Sequence, residues 1–310
     1  MKTALLFPGQ GSHQVGMAKA LAGAFPSARV VFERADEALG IRLSSLCFEG
    51  PEEELRLTAN AQPAILTASI AALRVLEEHG VRADYVAGHS LGEYSALVAA
   101  GSLRFEDAVA IVRKRGMFMQ EAVPQGEGAM AAIIGCDFES VNSVCREASS
   151  LGVCAPANLN APAQIVIAGH RAAVQRAMEL AGERGARRAV MLAVSAPFHC
   201  ELMRPAAIRL TAVLEDSEFS DLKTPLVTNV DAAVITSGAE ARNALIRQVA
   251  SPVRWSASIK RMIEAGVRRF VEVGHGKVLS GLAKQIDRSV TVFSTEDPAS
   301  LEAAAAALRQ

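Results

Sequence analysis

Ser90 stands in the pentapeptide Gly88-His89-Ser90-Leu91-Gly92, with a short apolar run at 85–87 before it and a helix-like stretch at 91–100 after it. A serine on so sharp a turn between strand and helix projects its hydroxyl away from the backbone. Glycines two positions to either side leave room for the tight turn and for an approaching acyl group. The N-terminus of the following helix favours negative charge that develops beside it. The chemistry this pattern could do is nucleophilic acyl transfer. A serine hydroxyl is a poor nucleophile near neutral pH and needs a base, so the six histidines are its candidate partners. His79, before Gly80, reads as a helix cap, while His13 and His170 each lie just past a turn. His89 diverges from a neighbour that points into the site. His199, after Ala196-Pro197-Phe198, is the best base, and His275, between Gly274 and Gly276, is its rival.

Arg115 carries a second signal. A helix over 103–119 would put Ala108, Val112, Arg115 and Met119 on one stripe, so a guanidinium stands where the pattern expects an apolar side chain. A buried guanidinium is costly without an anion, and its planar fork matches a carboxylate. That anion is either a ligand's or an internal Asp or Glu. Gly9-Gln10-Gly11 follows a strand but lacks the third glycine of a dinucleotide loop, Gln14 standing in its place. Such a turn can instead aim backbone N–H groups at an oxyanion, together with the N–H of Leu91.

These groups need a scaffold that brings them together. Residues 3–7 read as a buried strand, 26–39 and 64–79 repeat apolar residues at helical spacing, and the strand at 85–87 leads through Ser90 into another helix. The alternation predicts an α/β fold with a parallel sheet flanked by helices. The middle differs, with strand 129–134, helix 138–149, strands 153–158 and 164–168, helix 171–184 and strand 189–194. This βαββαβ order is that of a small ferredoxin-like module, reached through a linker at 124–128. The expected organisation is a large hydrolase-like catalytic domain from residues 1–125 and 193–310, with a small subdomain inserted at 126–192. Strands at 226–230 and 269–273 return to the large domain, with helices at 242–249 and 256–264 and an alanine-rich helical tail at 303–307.

A chain of 310 residues, 50% of them hydrophobic, can bury a substantial core. Thirty-two Lys and Arg nearly balance 33 Asp and Glu, so the overall field points to neither nucleic acid nor a membrane surface. The apolar run at 4–7 is too short for a signal-peptide core, and no run approaches the ~20 residues of a membrane span. A cytoplasmic protein is expected. The five cysteines are odd in number and form no C-x-x-C pair, which argues for reduced, mostly buried thiols rather than disulfides or zinc.

Taken together, Phe7 to Ser12, Gln62-Pro63-Ala64, Gly88 to Tyr94, Arg115-Gly116, residues 158–169, Pro197-Phe198-His199 and 248–255 resemble, in order, the malonyl-CoA:acyl carrier protein transacylases. These are relatives of the acyltransferase domains of polyketide synthases, and the likeness spans nearly the whole chain. It implies that Ser90 is acylated, that His199 is its base, and that the main-chain carbonyl of Gln248 orients the imidazole in place of a third acid. By the same resemblance Arg115 grips the free carboxylate of malonate, the amides of Gln10 and Leu91 form the oxyanion hole, and Asn160 and Gln62 line the cleft in supporting roles. Phe198 resembles the family's choice of malonyl over methylmalonyl, because a bulky ring would crowd an α-methyl branch. The implied reaction moves malonyl from malonyl-CoA to the phosphopantetheine thiol of an acyl carrier protein through a malonyl-serine, supplying fatty-acid synthesis. No tightly bound cofactor is implied, coenzyme A entering only as a thioester substrate, and a monomer is expected.

Two departures from the family stand out: His13 replaces a usual glutamine and His275 a usual proline, both at positions that read as structural. Other readings share the motifs. A stand-alone enzyme loading polyketide synthase carriers or a malonate-decarboxylase subunit would look nearly the same, and an α/β-hydrolase could use Asp231 as acid and His275 as base. A non-enzymatic protein that only docks a carrier is a further alternative. Arg113, Lys114, Arg187 and Arg188 could meet an acidic carrier or simply be solvated.

Overall fold

The computed structural model describes residues 1–194 and 196–309. Strand β1 (Lys2–Phe7) is buried from Thr3 onward, the pattern of a central strand covered on both faces. Helices α1 (Lys19–Ala24), α2 (Pro26–Leu39), α3 (Leu43–Glu49), α4 (Glu52–Arg56) and α5 (Thr58–Glu78) follow, then β2 (Tyr85–Gly88), α6 (Gly92–Ala99) and α7 (Phe105–Glu121). The middle of the chain runs β3 (Gly128–Ile134), α8 (Phe138–Ala148), β4 (Cys154–Ala161), β5 (Gln164–His170), α9 (Arg171–Glu183) and β6 (Arg188–Met191). The last third runs α10 (Arg204–Glu215), β7 (Leu226–Val227), β8 (Val234–Ile235), α11 (Gly238–Gln248), α12 (Trp255–Glu264), β9 (Val267–Glu272), α13 (Val278–Ile286), β10 (Thr291–Ser294) and α14 (Pro298–Leu308).

Two sheets result. The larger has the order β10-β9-β1-β2-β7-β8, parallel except where β8 returns against β7. The smaller has the order β4-β5-β3-β6 and is antiparallel, the strand order of a ferredoxin-like βαββαβ unit. Its side chains alternate between two cores. Ala129, Ala131, Ile133, Ile165 and Ile167 pack with the apolar faces of α8 and α9, whereas Met130, Val166 and Ala168 join the large core. A parallel bridge between Asn158 and Val253 ties the two parts again.

The fold differs from the sequence reading at a few edges. Helix α5 begins at Thr58, ahead of Pro63, because burial of nearly every residue along it outweighs the one ladder bond a proline removes near a helix start. The strand read as 226–230 stops at Val227, and Thr228 and Asn229 turn out of the sheet. The strand read as 189–194 ends at Met191. Within the segment 193–310, Ser195 and Gln310 lie outside the described residues. All five cysteines are buried and unpaired as disulfides. No helix among the described residues is long and apolar enough to cross a membrane.

Candidate active site

The strands β1, β2 and β7 end side by side, and the residues just past their ends meet. Ser90, past β2, has φ +52°, a left-handed conformation that a non-glycine residue keeps only when its surroundings enforce it. The enforcement is steric and polar. A Cβ on Gly88 would lie 1.8 Å from the Gly92 carbonyl oxygen, and one on Gly92 would lie 2.0 Å from that of Phe7, so both positions admit only glycine. Asn229, past β7, clamps the turn: its Oδ1 accepts from the Ser90 N–H at 2.7 Å and its Nδ2 donates to the Gly88 carbonyl at 2.7 Å. Past β1, the loop carrying Gln10 is pressed onto the same turn, a Cβ on Gly9 lying 2.4 Å from the His89 carbonyl oxygen.

The Ser90 hydroxyl donates to His199 Nε2 at 2.6 Å, and His199 Nδ1–H donates to the main-chain carbonyl of Gln248 at 3.0 Å. A carbonyl can only accept, so the proton sits on Nδ1 and the Nε2 lone pair faces the serine. Burial first, and then the positive charge of Arg115, push the His199 pKa down to about 3, which keeps the resting imidazole a neutral base. His199 also has a positive φ, +62°. Neither His275 nor Asp231 borders this pair. Asp231 forms an ion pair with Arg247 at 2.5 Å on a half-exposed surface, so the hydrolase-like Asp231 and His275 assignment does not hold.

Arg115 is 1% exposed on α7. Its Nη2 donates to Ser90 Oγ and to Gln248 Oε1, both at 3.0 Å, and its Nη1 donates to Gln62 Oε1 at 2.7 Å. Its direct partners are neutral oxygens, and no Asp or Glu among the described residues forms an ion pair with it. The internal salt bridge that the sequence left open is therefore absent from the described residues. The close crossing of α7 on α5 sets the guanidinium here, because a Cβ on Gly116 would lie 2.5 Å from the Thr58 carbonyl oxygen.

A cavity of about 520 Å³ opens onto these groups, and Gln10, Ser90, Leu91, Arg115, Phe198 and His199 all border it. Among the described residues the backbone N–H groups of Gln10 and Leu91 meet no acceptor, which leaves both available to a developing oxyanion. The smaller sheet and the chain past it supply the facing wall through Met130, Asn158 and residues 192–194. Two expected wall residues stand behind it instead. Gln62 is fully buried against Arg115, and Asn160 Oδ1 accepts from His89 Nε2 at 2.8 Å, so each acts through a neighbour. His89 does turn away from Ser90, onto Asn160 and the Trp255 ring, yet it still borders the cavity. His13, read as merely structural, is on the wall beside Glu52 and Arg56. Two contributors were not singled out from sequence. Glu93, within the stretch quoted around Ser90, is buried and bonded to Gln248, and Asn229 clamps the elbow. The one charged residue in the run 91–100 is the available signal for the first; Asn229 at a strand end carries none.

The chain matches known proteins along nearly its whole length. Residues 4–302 match the family model described as acyl transferase domain. The malonyl CoA-acyl carrier protein transacylase of Bacillus subtilis is 52% identical over 310 residues, covering 100% of this chain and 98% of the relative. That of Escherichia coli K12 is 48% identical over 302 residues, covering 97% and 98%. Among solved structures, a malonyl-transacylase in complex with its type II PKS acyl-carrier protein superposes with a TM-score of 0.97 at 46% identity, covering 99% of this chain and 100% of that one. The malonyl CoA-acyl carrier protein transacylase of Coxiella burnetii gives 0.98 at 43% identity, covering 100% and 98%. This chain belongs to the acyl transferase domain family, among the malonyl CoA-acyl carrier protein transacylases.

Proposed function

We propose that this enzyme transfers a malonyl group from malonyl-CoA to the phosphopantetheine thiol of an acyl carrier protein, by way of a malonyl ester on Ser90. The observation that carries the reading is the position of the Ser90 hydroxyl, 2.6 Å from His199 Nε2 and 3.0 Å from Arg115 Nη2. Ser90 Oγ attacks the thioester carbonyl while its proton passes to His199 Nε2. The Nδ1–H bond to the Gln248 carbonyl steadies the imidazolium that forms. The tetrahedral oxyanion takes the N–H groups of Gln10 and Leu91, each such donor supplying about 3 to 4 kcal/mol of transition-state stabilisation. The carbon–sulfur bond breaks, and the imidazolium returns its proton to the departing coenzyme A thiolate. In the second half the carrier's thiol gives its proton to His199 and attacks the ester, and Ser90 leaves with that proton, so the kinetics are ping-pong.

Arg115, already bonded to the oxygen that becomes acylated, holds the carboxylate at the other end of the malonyl group. Phe198 narrows the space beside it against an α-methyl branch. The reading includes malonyl-CoA as a substrate with no tightly bound cofactor, a monomer in the cytoplasm, and residues 126–192 as a subdomain that completes the cavity. The names carried by the relatives support an acyl carrier protein as the acceptor, and the reading assigns fatty-acid synthesis as the process served; the solved complex with a type II PKS carrier favours, as a second reading, a polyketide carrier as an acceptor.

Mass spectrometry tests the central step. Protein mixed with malonyl-CoA should gain one malonyl group on the peptide containing Ser90, lose it on addition of phosphopantetheinylated carrier protein, and gain nothing in Ser90→Ala. A wild-type protein without that adduct would refute the reading.

A further inference from the structure

We infer that Glu93 is a positioning residue for substrate selection: by locking the side-chain amide of Gln248, it balances the charge of Arg115 at one remove and keeps the guanidinium free of any direct carboxylate. The inference rests on the malonyl-transfer reading above. Glu93 lies in the first turn of α6 and is 1% exposed. Its Oε2 accepts from Gln248 Nε2 at 2.5 Å and its Oε1 from the Asn229 N–H at 3.2 Å. Gln248 Nε2 also donates to the Ser90 carbonyl at 2.9 Å, while Gln248 Oε1 accepts from Arg115 Nη2 at 3.0 Å.

These partners admit one orientation of the amide. Rotated by half a turn, its oxygen would face a carboxylate and a carbonyl, and its NH₂ would face a cation. The ionised carboxylate, which can only accept, makes the reversed orientation costly; a neutral group in its place weakens the lock. A buried guanidinium needs negative charge nearby, but an acid in direct contact would occupy the fork that the substrate's carboxylate must take. Placing the acid on the far side of Gln248 meets the first need without violating the second. Gln62 Oε1, also neutral, holds Nη1 in the same manner, while Nε meets no hydrogen-bond partner among the described residues.

The charged and titratable groups that act on Glu93 are Arg115 and Tyr94 from the guanidinium side, and Asp231 and Arg247 from the segment past β7 and from α11. Burial outweighs the bonds and the nearby cation and raises its pKa to about 7, so the lock loosens as pH falls through neutrality.

The experiment compares steady-state transfer from malonyl-CoA and acetyl-CoA to phosphopantetheinylated carrier protein in wild type, Glu93→Gln, Arg115→Ala and the double variant. Glu93→Gln should lower kcat/KM for malonyl about tenfold or more, chiefly through KM, and acetyl much less; added to Arg115→Ala it should change malonyl transfer little further. Equal losses on both donors, or full multiplication of the two effects in the double variant, would overturn the inference. Should Glu93→Gln fail to fold, the wild-type ratio of malonyl to acetyl transfer decides: it should fall as pH is lowered through about 7, and a constant ratio overturns the inference. If wild type carries no malonyl on Ser90, the transfer reading itself is at fault; if it does and the ratio never moves, only the role of Glu93 is lost.

Discussion

Arg115 separates binding from chemistry at the scale of single residues. Among the described residues its guanidinium bonds only neutral acceptors, so in the proposed reaction its selectivity would come from the acyl group's own carboxylate. Arg115→Ala is expected to cut kcat/KM for malonyl-CoA by about a hundredfold or more while acetyl transfer falls far less; parallel loss on both donors would count against carboxylate recognition. His199 gives a second test. Its folded pKa is about 3 against an ordinary 6.5, so between those values the unfolded chain binds more protons than the folded one. Its contribution to stability is therefore complete above 6.5 and lost progressively as pH falls toward 3. For the same reason kcat/KM for acetyl-CoA should pass through 6.5 without a histidine inflection, and a pH–rate profile bending there would contradict a buried neutral base.

Elements set these residues by close backbone approach, and the approach is testable at Gly116. A methyl group there meets the Thr58 carbonyl oxygen at 2.5 Å, so α7 must lift from α5 and carry Arg115 with it. Gly116→Ala should destabilise by about 1 to 3 kcal/mol and weaken malonyl transfer more than acetyl; a variant with the parent's melting temperature and donor preference would show the crossing to be lax. How much of this is legible in the sequence depends on the kind of signal. Ser90 announces itself through two glycines and a strand-to-helix switch, and Arg115 through a charge on an apolar stripe. The Gln248 carbonyl is legible only by resemblance, because a main-chain atom leaves no mark on residue type. Glu93 hides because an acid in the first turn of a helix reads as a partner for the helix dipole. Asn229 hides because its strand is two residues long and its role lies across the sheet. The βαββαβ order is readable from spacing alone, whereas the strand ends at 192–194, which border the cavity, and at 228–229, which turn out of the sheet, are masked by their apolar neighbours.

Across the whole molecule, the small sheet shares its inner side chains with the large core and is bridged to it at Asn158 and Val253. A Cβ on Gly128, where the chain goes into that sheet, would lie 2.4 Å from Pro197 Cδ, where the chain leaves it, so the two crossings are wedged together. The chain should unfold in one transition with equal calorimetric and van't Hoff enthalpies, and two resolved transitions would mean that the sheets melt independently. The central strand β1 pairs on one side with β9, more than two hundred and sixty positions later in several of its registered pairs. The proposed nucleophile belongs to the first half of the chain, while the histidine proposed as its base and the carbonyl bonded to that histidine belong to the second. A ribosome that stalls midway would thus release a nucleophile with no means of activation, and a truncated product could not squander malonyl thioesters in the cell.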